Sequence, residues 1–127
     1  MKRKATYIKV SLDMFGQDVY VFYGQKKRAT LMALREMAGL ENVTIDDFSR
    51  GQSQRLFDDK TGVNFFFLWT EKREACVLLH EISHTCHEVL SLLGIKEKRS
   101  NEVFCYMAGY IFKEVMREDK ELKNEHN

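Results

Sequence analysis

His80-Glu81-Ile82-Ser83-His84 is the stretch that decides how this 127-residue chain is interpreted. It lies inside a long run of apolar residues at helical spacing, between Thr70 and Gly94, which predicts one helix. Residues four apart in a helix lie one turn above each other on the same face. His80 and His84 are therefore expected to aim both imidazoles at one point, where they can bind a zinc ion.

Glu81 follows the first histidine and lies roughly 100° around the predicted helix from it. At that position a carboxylate can reach a water molecule on the metal without displacing it. The pattern is the HExxH arrangement of zinc hydrolases, in which the glutamate is the general base. We therefore expect His80 and His84 to be metal ligands and Glu81 to be catalytic.

Glu102 is the candidate third ligand, because catalytic zinc sites use three protein ligands and leave a fourth position open. The helix is expected to break at Gly94, and a new helix restarts near Ser100. A connection of about six residues is an ordinary length between antiparallel helices, so Glu102 can return beside the histidines. The sequence thus predicts a His2Glu site. An acid in the first helical turn also suits the helix dipole, and that interpretation of Glu102 stays open.

Two neighbouring side chains, His87 and Cys76, are alternative candidates for ligands. The metzincin pattern is excluded, because His87 stands at its glycine position and Leu90 at its last histidine. His87 shares the metal-facing side but lies about 4.5 Å further along the axis. It is a second-choice ligand, a substrate hydrogen-bond donor or a half-exposed polar residue. The sulfur of Cys76 could be a fourth ligand, which would make the zinc site closed and structural. Cys76 is more simply interpreted as a small buried residue.

His80-Glu81-x-x-His84 followed by Asn101-Glu102 resembles the gluzincin pattern of thermolysin-type zinc peptidases. The resemblance implies that Glu102 is the third ligand and that the fold is metallopeptidase-like. In one respect the chain departs from the pattern. Phe104-Cys105-Tyr106 stands where thermolysin-type peptidases have a Ser-Asp pair that supports the first histidine.

The wider layout is similar to a group of small tailed-bacteriophage proteins, and the similarity covers most of residues 5 to 115. Those proteins begin with a β-hairpin containing a Phe-Gly turn, here Phe15-Gly16, and continue through a helix and a second hairpin. They finish with the HExxH helix and a Glu-x-x-x-Tyr helix, here Glu102 to Tyr106. The resemblance implies a metallopeptidase-like protein of phage origin.

The hydrophobic periodicity predicts an α+β fold in β-β-α-β-β-α-α order. We expect a small antiparallel sheet from two β-hairpins, with the HExxH helix and a ligand-bearing helix packed on it. Thr70 is expected to cap the HExxH helix. The second strand of the second hairpin is expected to be core, or to border the cleft and pair with a peptide. Predicted strands cover residues 6–12, 19–24, 54–57 and 63–69, and predicted helices cover 25–38, 71–93 and 101–117.

Composition predicts one domain over residues 1–117, which the resemblance implies is metallopeptidase-like, with a charged, disordered tail over 118–127. The chain is 44% hydrophobic and 31% charged, with a formal charge of +1, which suits one ordinary core. No apolar run is long enough for a membrane span or a signal segment. Three cysteines, an odd count, favour free thiols in a reducing compartment. We expect a cytoplasmic protein, in the host cytoplasm if phage-encoded, with no membrane or nucleic-acid partner.

The predicted function is zinc-dependent hydrolysis of an amide or peptide bond, with a peptide or protein as substrate. Glu81 would activate a zinc-bound water as general base. Tyr106 and Tyr110 could hydrogen-bond a ligand carboxylate or an oxyanion, although tyrosines at a core edge are the commoner case. Two alternatives stay open. One is a zinc-stabilised phage binding or assembly protein without peptidase activity, and the other is a metal-free chain with a coincidental HExxH.

Overall fold

A computed structural model of the chain describes residues 5–38, 44–45, 49–58, 62–95 and 97–125. The fold is α+β, with a four-stranded mixed sheet and three α-helices. Within these ranges no helix is long and apolar enough to cross a membrane. The elements in chain order are β1 (Ile8–Leu12), a 3-10 turn (Asp13–Phe15), β2 (Gln17–Phe22), α1 (Lys27–Ala38), β3 (Gly51–Asp58), β4 (Val63–Thr70), α2 (Ala75–Leu92) and α3 (Glu97–Glu125).

The strands lie in the order β1-β2-β4-β3. β1 pairs antiparallel with β2, and β3 pairs antiparallel with β4, as expected of two hairpins. β2 and β4 run parallel, with Val19 opposite Phe66, so the prediction of a wholly antiparallel sheet is wrong. The physical reason is the connection between the hairpins, because α1 and β3 carry the chain back before β4 begins.

The sheet separates two hydrophobic clusters, because successive side chains of a strand point to opposite faces. On one face, alternate residues of β2 and β4 pack against α2 and α3. The other face of these strands packs against α1. The first cluster includes Val19, Val21, Phe66, Leu68, Leu78, Ile82, Met107 and Ile111, and the second includes Phe22, Leu34, Phe67 and Trp69. β4 is therefore apolar on both faces because both of its faces are covered.

Thr70 does not cap the HExxH helix, contrary to the prediction. It is the last residue of β4, is buried, and accepts a hydrogen bond through its Oγ1 from the backbone N–H of Gly24 at 3.0 Å. α2 begins at Ala75, and the preceding Glu74 makes no capping hydrogen bond through its side chain. The polar residues after Thr70 instead form a short connection between the sheet and α2.

α3 is longer than predicted, because it continues to Glu125 into the segment expected to be a disordered tail. Asp119 lies in this extension and is only 7% exposed. Its carboxylate pairs with the side chain of Arg73, just before α2. This contact gives a physical reason for the continued helix, since it ties the extension to the body of the fold. Residues 126–127 of the predicted tail lie outside the described residues.

Candidate metal centre

α2 presents His80 and His84 together on its exposed face. Their Nε2 atoms lie 3.1 Å apart, and the ring centroids are 4.6 Å apart with an angle of 81° between the ring planes. Two neutral rings can share one N–H···N hydrogen bond at this distance, when one Nε2 carries the proton. The helix therefore brings the two nitrogens to one point, as the four-residue spacing predicted.

The separation of the two Nε2 atoms fits zinc binding. Zinc binds histidine nitrogen at about 2.0–2.1 Å, and a tetrahedral angle at that distance separates two nitrogens by about 3.3 Å. The observed 3.1 Å needs only a small rotation of one ring to reach this value. The pair is thus spaced as two zinc ligands would be, and metal binding by His80 and His84 stays a prediction.

Glu81 points away from the exposed face towards the sheet and is only 6% exposed. Its side chain lies over Gly51, the first residue of β3. Burial raises the pKa of the Glu81 carboxyl above its usual value, while the nearby His80 and His84 lower it. A carboxyl whose pKa is raised in this way holds a proton more strongly than an exposed one, which suits a general base.

Two contacts show how α2 and α3 lie against each other. The ring of His87 contacts the ring of Phe104, with centroids 4.7 Å apart. Beyond the opposite end of α2, Arg73 pairs with Asp119 at 3.1 Å. Along the chain Arg73 comes before His87, whereas its partner Asp119 comes after Phe104. The two helices are therefore antiparallel. The part of α3 that lies level with His84 is therefore close to Met107.

Glu102 is exposed on α3 and forms no group of potential metal ligands with the histidine pair. It is about 8 Å along the helix axis from the level of His84. It also lies roughly 160° around α3 from Phe104, the residue that faces α2. Among the described residues, no group of three or more His, Cys, Asp or Glu side chains is placed to hold a metal ion. Ligation by Glu102 stays a prediction, and it requires the first turns of α3 to repack.

His87 is exposed, as one of its interpretations expected, and its ring packs on Phe104. It lies one turn beyond His84, on the side of α2 that faces α3. The structure therefore gives His87 an aromatic neighbour across the helix interface. Its predicted roles towards metal or substrate stay predictions.

Tyr106 and Tyr110 line a different part of the molecule. Together with Met107 and the Asp13–Phe15 turn they surround a cleft of about 200 Å³. This cleft lies at the β1 edge of the sheet, whereas Glu81 lies over β3 at the opposite edge. The structure does not bring these tyrosines to the histidine pair, and their predicted contact with substrate stays a prediction.

The three cysteines differ in exposure. Cys76, which the sequence suggested was buried, is exposed one turn before His80, and Cys105 is also exposed. Cys86 is buried, and burial raises the pKa of its thiol to about 12. Its sulfur is therefore protonated at neutral pH and is a poor metal ligand or nucleophile.

Gly51 is a residue that the sequence interpretation missed. The sequence predicts this strand, β3, only from residue 54, whereas Gly51 opens β3 and lies directly under Glu81. A glycine at the beginning of a strand marks a close approach of another backbone or side chain. Because the predicted strand begins at residue 54, the sequence does not place Gly51 in a strand, and only the fold shows that Glu81 is its neighbour.

The functional assignment depends on these residues and their geometry. Comparison with known proteins found no family model, no curated protein and no solved structure that matches this chain.

Proposed function

We propose that this chain is a zinc-dependent hydrolase, a gluzincin-like metallopeptidase in which His80 and His84 bind Zn²⁺ and Glu81 is the general base. The observation that supports the proposal best is the 3.1 Å separation of the two histidine Nε2 atoms. Glu81, buried on the same helical turn, is the second feature. The histidine spacing matches what an HExxH zinc site requires of one helix, and both histidines lower the pKa of the Glu81 carboxyl, which therefore lies within electrostatic reach of them.

Each residue has a defined task in this proposal. His80 and His84 bind through Nε2 in their neutral form, because a protonated imidazole has no lone pair to donate. Zinc, when bound, supplies a Lewis acid that lowers the pKa of water to about 7. Glu81 accepts a proton from the attacking water and returns it to the leaving amine. Its burial between α2 and β3 keeps the carboxylate from swinging freely into solvent.

Glu102 is kept in the proposal as the third ligand, on the strength of the sequence pattern alone. In the structure its distance from His84 along the helices means that α3 must begin differently when zinc is bound. The packing of His87 on Phe104 would be the first contact to change. The proposal therefore links metal binding to a rearrangement at the beginning of α3.

A peptide substrate would pair with β3 rather than with β4. β4 lies between β2 and β3, so both of its edges are already paired and it cannot take the peptide-binding role considered for it. β3 is an edge strand, paired within the described part of the chain with β4 alone. Edge strands bind extended peptides through their open backbone groups. Glu81 lies over Gly51, the first residue of this strand.

The experiment that tests the proposal compares the unmodified chain with Glu81→Gln. Glutamine keeps the shape of the side chain and removes the base. We expect both proteins to hold about one zinc per chain, whereas hydrolysis of an unfolded, fluorescently labelled protein falls about 10²- to 10⁴-fold in the variant. Equal hydrolysis by both proteins would contradict the proposal, and loss of zinc from the variant would make Glu81 a ligand.

A zinc-stabilised binding or assembly protein is the second candidate. The observation that favours it is the position of Glu102, which leaves two histidines without a third clustered ligand among the described residues. In this case zinc would raise the melting temperature of the chain, and the chain would hydrolyse no peptide. Loss of binding to a partner in His84→Ala, together with full binding in Glu81→Gln, would support this candidate over the enzyme.

A further inference from the structure

Gly51 is the first residue of β3, and its backbone does not require glycine. Its pairing partner on β4 is Thr70, the last residue of that strand. Its φ angle is not among the positive values that favour glycine, which belong to Gly16, Gly24, Gly62 and Gly94. An alanine could adopt the same backbone conformation. The reason for a glycine at this position must therefore lie in the space around it.

That space is occupied by α2. A Cβ added to Gly51 would lie 2.9 Å from Oε2 of Glu81 and 3.1 Å from its Cγ. The same atom would lie 2.9 Å from Cγ1 of Val77. Carbon atoms that are not bonded do not approach this closely without displacement, because their favourable separation is about 3.5–4.0 Å. The missing side chain is what lets the carboxylate of Glu81 lie against the strand.

The backbone around Gly51 is held on both sides. Ser49 donates a hydrogen bond from its hydroxyl to the Gly51 carbonyl, and the Gly51 N–H donates to the same hydroxyl oxygen at 3.3 Å. The carbonyl of Arg50 accepts a hydrogen bond from the backbone N–H of Glu71 at 2.9 Å. The strand therefore cannot easily recede from α2. An added methyl group would displace the Glu81 side chain, which can rotate, and would press on Val77.

We propose that Gly51 is a positioning residue for the reaction, which sets the place of the Glu81 carboxylate by leaving room for it at the beginning of β3. The inference rests on the proposed function, because it concerns the base of that reaction. Gly51 is not a metal ligand in this scheme, and its backbone C=O and N–H are both bonded to the Ser49 hydroxyl, so a peptide on the open edge of β3 would pair beyond it. Its effect is transmitted through the one side chain that lies on it.

Gly51→Ala tests this role, with Gly109→Ala as the matched control. A Cβ at Gly109, on the exposed side of α3, meets nothing within 4 Å. We expect Gly51→Ala to bind zinc as the unmodified chain does and to keep its KM for a labelled peptide. Its kcat should fall about 10- to 100-fold, because a displacement of about 1 Å in a catalytic group costs this much. Gly109→Ala should keep both constants.

A second pair of variants separates positioning from packing. Val77→Ala removes the apolar atom that the new methyl group would strike, while the contact with Glu81 remains. Gly51→Ala should therefore lower the melting temperature less in the Val77→Ala background than it does in the unmodified chain. Its kcat should stay reduced relative to Val77→Ala alone. Recovery of kcat along with melting temperature would overturn the positioning role and leave packing as the whole effect.

The inference and the proposed function fail in different ways. An unmodified chain that binds zinc but hydrolyses nothing overturns the proposed function and the inference with it. An active unmodified chain beside a Gly51→Ala variant of equal kcat overturns the inference alone. Loss of zinc from Gly51→Ala would also overturn it, because the substitution would then act on the ligands and not on Glu81.

Discussion

Arg73 donates a hydrogen bond from its Nε to Oδ1 of Asp119, at 3.1 Å. The pair joins the connection before α2 to the C-terminal half of α3. Asp119 is buried, and Arg73 is partly exposed. Burying a carboxylate costs free energy unless it is paired with a positive charge, and the pairing with Arg73 offsets this cost for Asp119. The contact also fixes which residues of the two helices face each other.

Asp119→Ala is therefore expected to lower the free energy of unfolding, by about 1–3 kcal/mol. The single tryptophan, Trp69, is fully buried and reports unfolding by its fluorescence in a urea titration. Glu118→Ala is the matched control, because Glu118 pairs with Arg117 nearer the surface and should contribute less than about 1 kcal/mol. Equal losses in the two variants would show that the Arg73 pair has no special role.

Zinc binding should depend on His80 and His84 and not on His87. His80→Ala and His84→Ala each remove one of the two nitrogens that lie 3.1 Å apart, so each is expected to lose most of the bound zinc. His87→Ala removes a ring that packs on Phe104 and should keep the metal. Metal analysis after dialysis measures the three variants under the same conditions. Retained zinc in both of the first two variants would refute the site.

Glu102→Ala tests the third ligand. If Glu102 is the third ligand, Glu102→Ala binds zinc more weakly than the unmodified chain. Zinc binding to the unmodified chain should also change the packing at the beginning of α3. Hydrogen exchange of the backbone amides of α3, with and without zinc, measures that change. We expect slower exchange with zinc in the unmodified chain and no such slowing in Glu102→Ala. Unaltered zinc affinity in the variant would assign the third ligand to another group.

The stability of the metal-free chain should depend on pH through Glu81. Burial raises the pKa of this carboxyl in the folded state above its value in the unfolded chain. Ionisation therefore costs more in the folded state. This cost is absent below the unfolded pKa of about 4.3, and it is complete once the pH exceeds the raised folded value.

Metal-free Glu81→Gln should consequently be more stable than the unmodified chain at pH 7, and this advantage should be lost once the pH has fallen to about 4. Urea unfolding at the two pH values measures the difference. Glu88→Gln is a suitable control, because Glu88 is exposed on the same helix and should give a small and nearly constant difference. A stability gain in Glu81→Gln that is the same at both pH values would contradict the effect of burial.

Local patterns in the sequence predicted the parts of the fold that depend on neighbours in the chain. The alternation from Ile8 to Leu12 and the apolar run from Val63 to Trp69 both form strands. The four-residue spacing of His80 and His84 predicted that their nitrogens meet, and they do. These features follow from helix and strand geometry alone, which needs no tertiary information.

The features that the sequence did not predict depend on how distant elements meet. Nothing local in Val19 or Phe66 shows that their strands run parallel. The break at Gly94 predicts a returning helix, but packing decides which side of α3 faces α2. In the structure Phe104 packs against His87, and Glu102 is exposed. Thr70 has the residue type of a helix cap, but it is the buried last residue of β4, where its Oγ1 accepts a hydrogen bond from the backbone N–H of Gly24.

The parallel alignment of β2 with β4 also constrains the order in which the molecule can fold. Hairpins and adjacent helices close short loops and can form within microseconds. Val19 can pair with Phe66 only when the long chain segment between them, which includes a helix and a strand, closes into a loop. Closing this loop costs more entropy than closing the short loop of a hairpin. We therefore expect the pairing of the two hairpins to be slower than the formation of either hairpin. Until that encounter, the inner edges of both hairpins are unpaired, which leaves the nascent chain open to association with other strands.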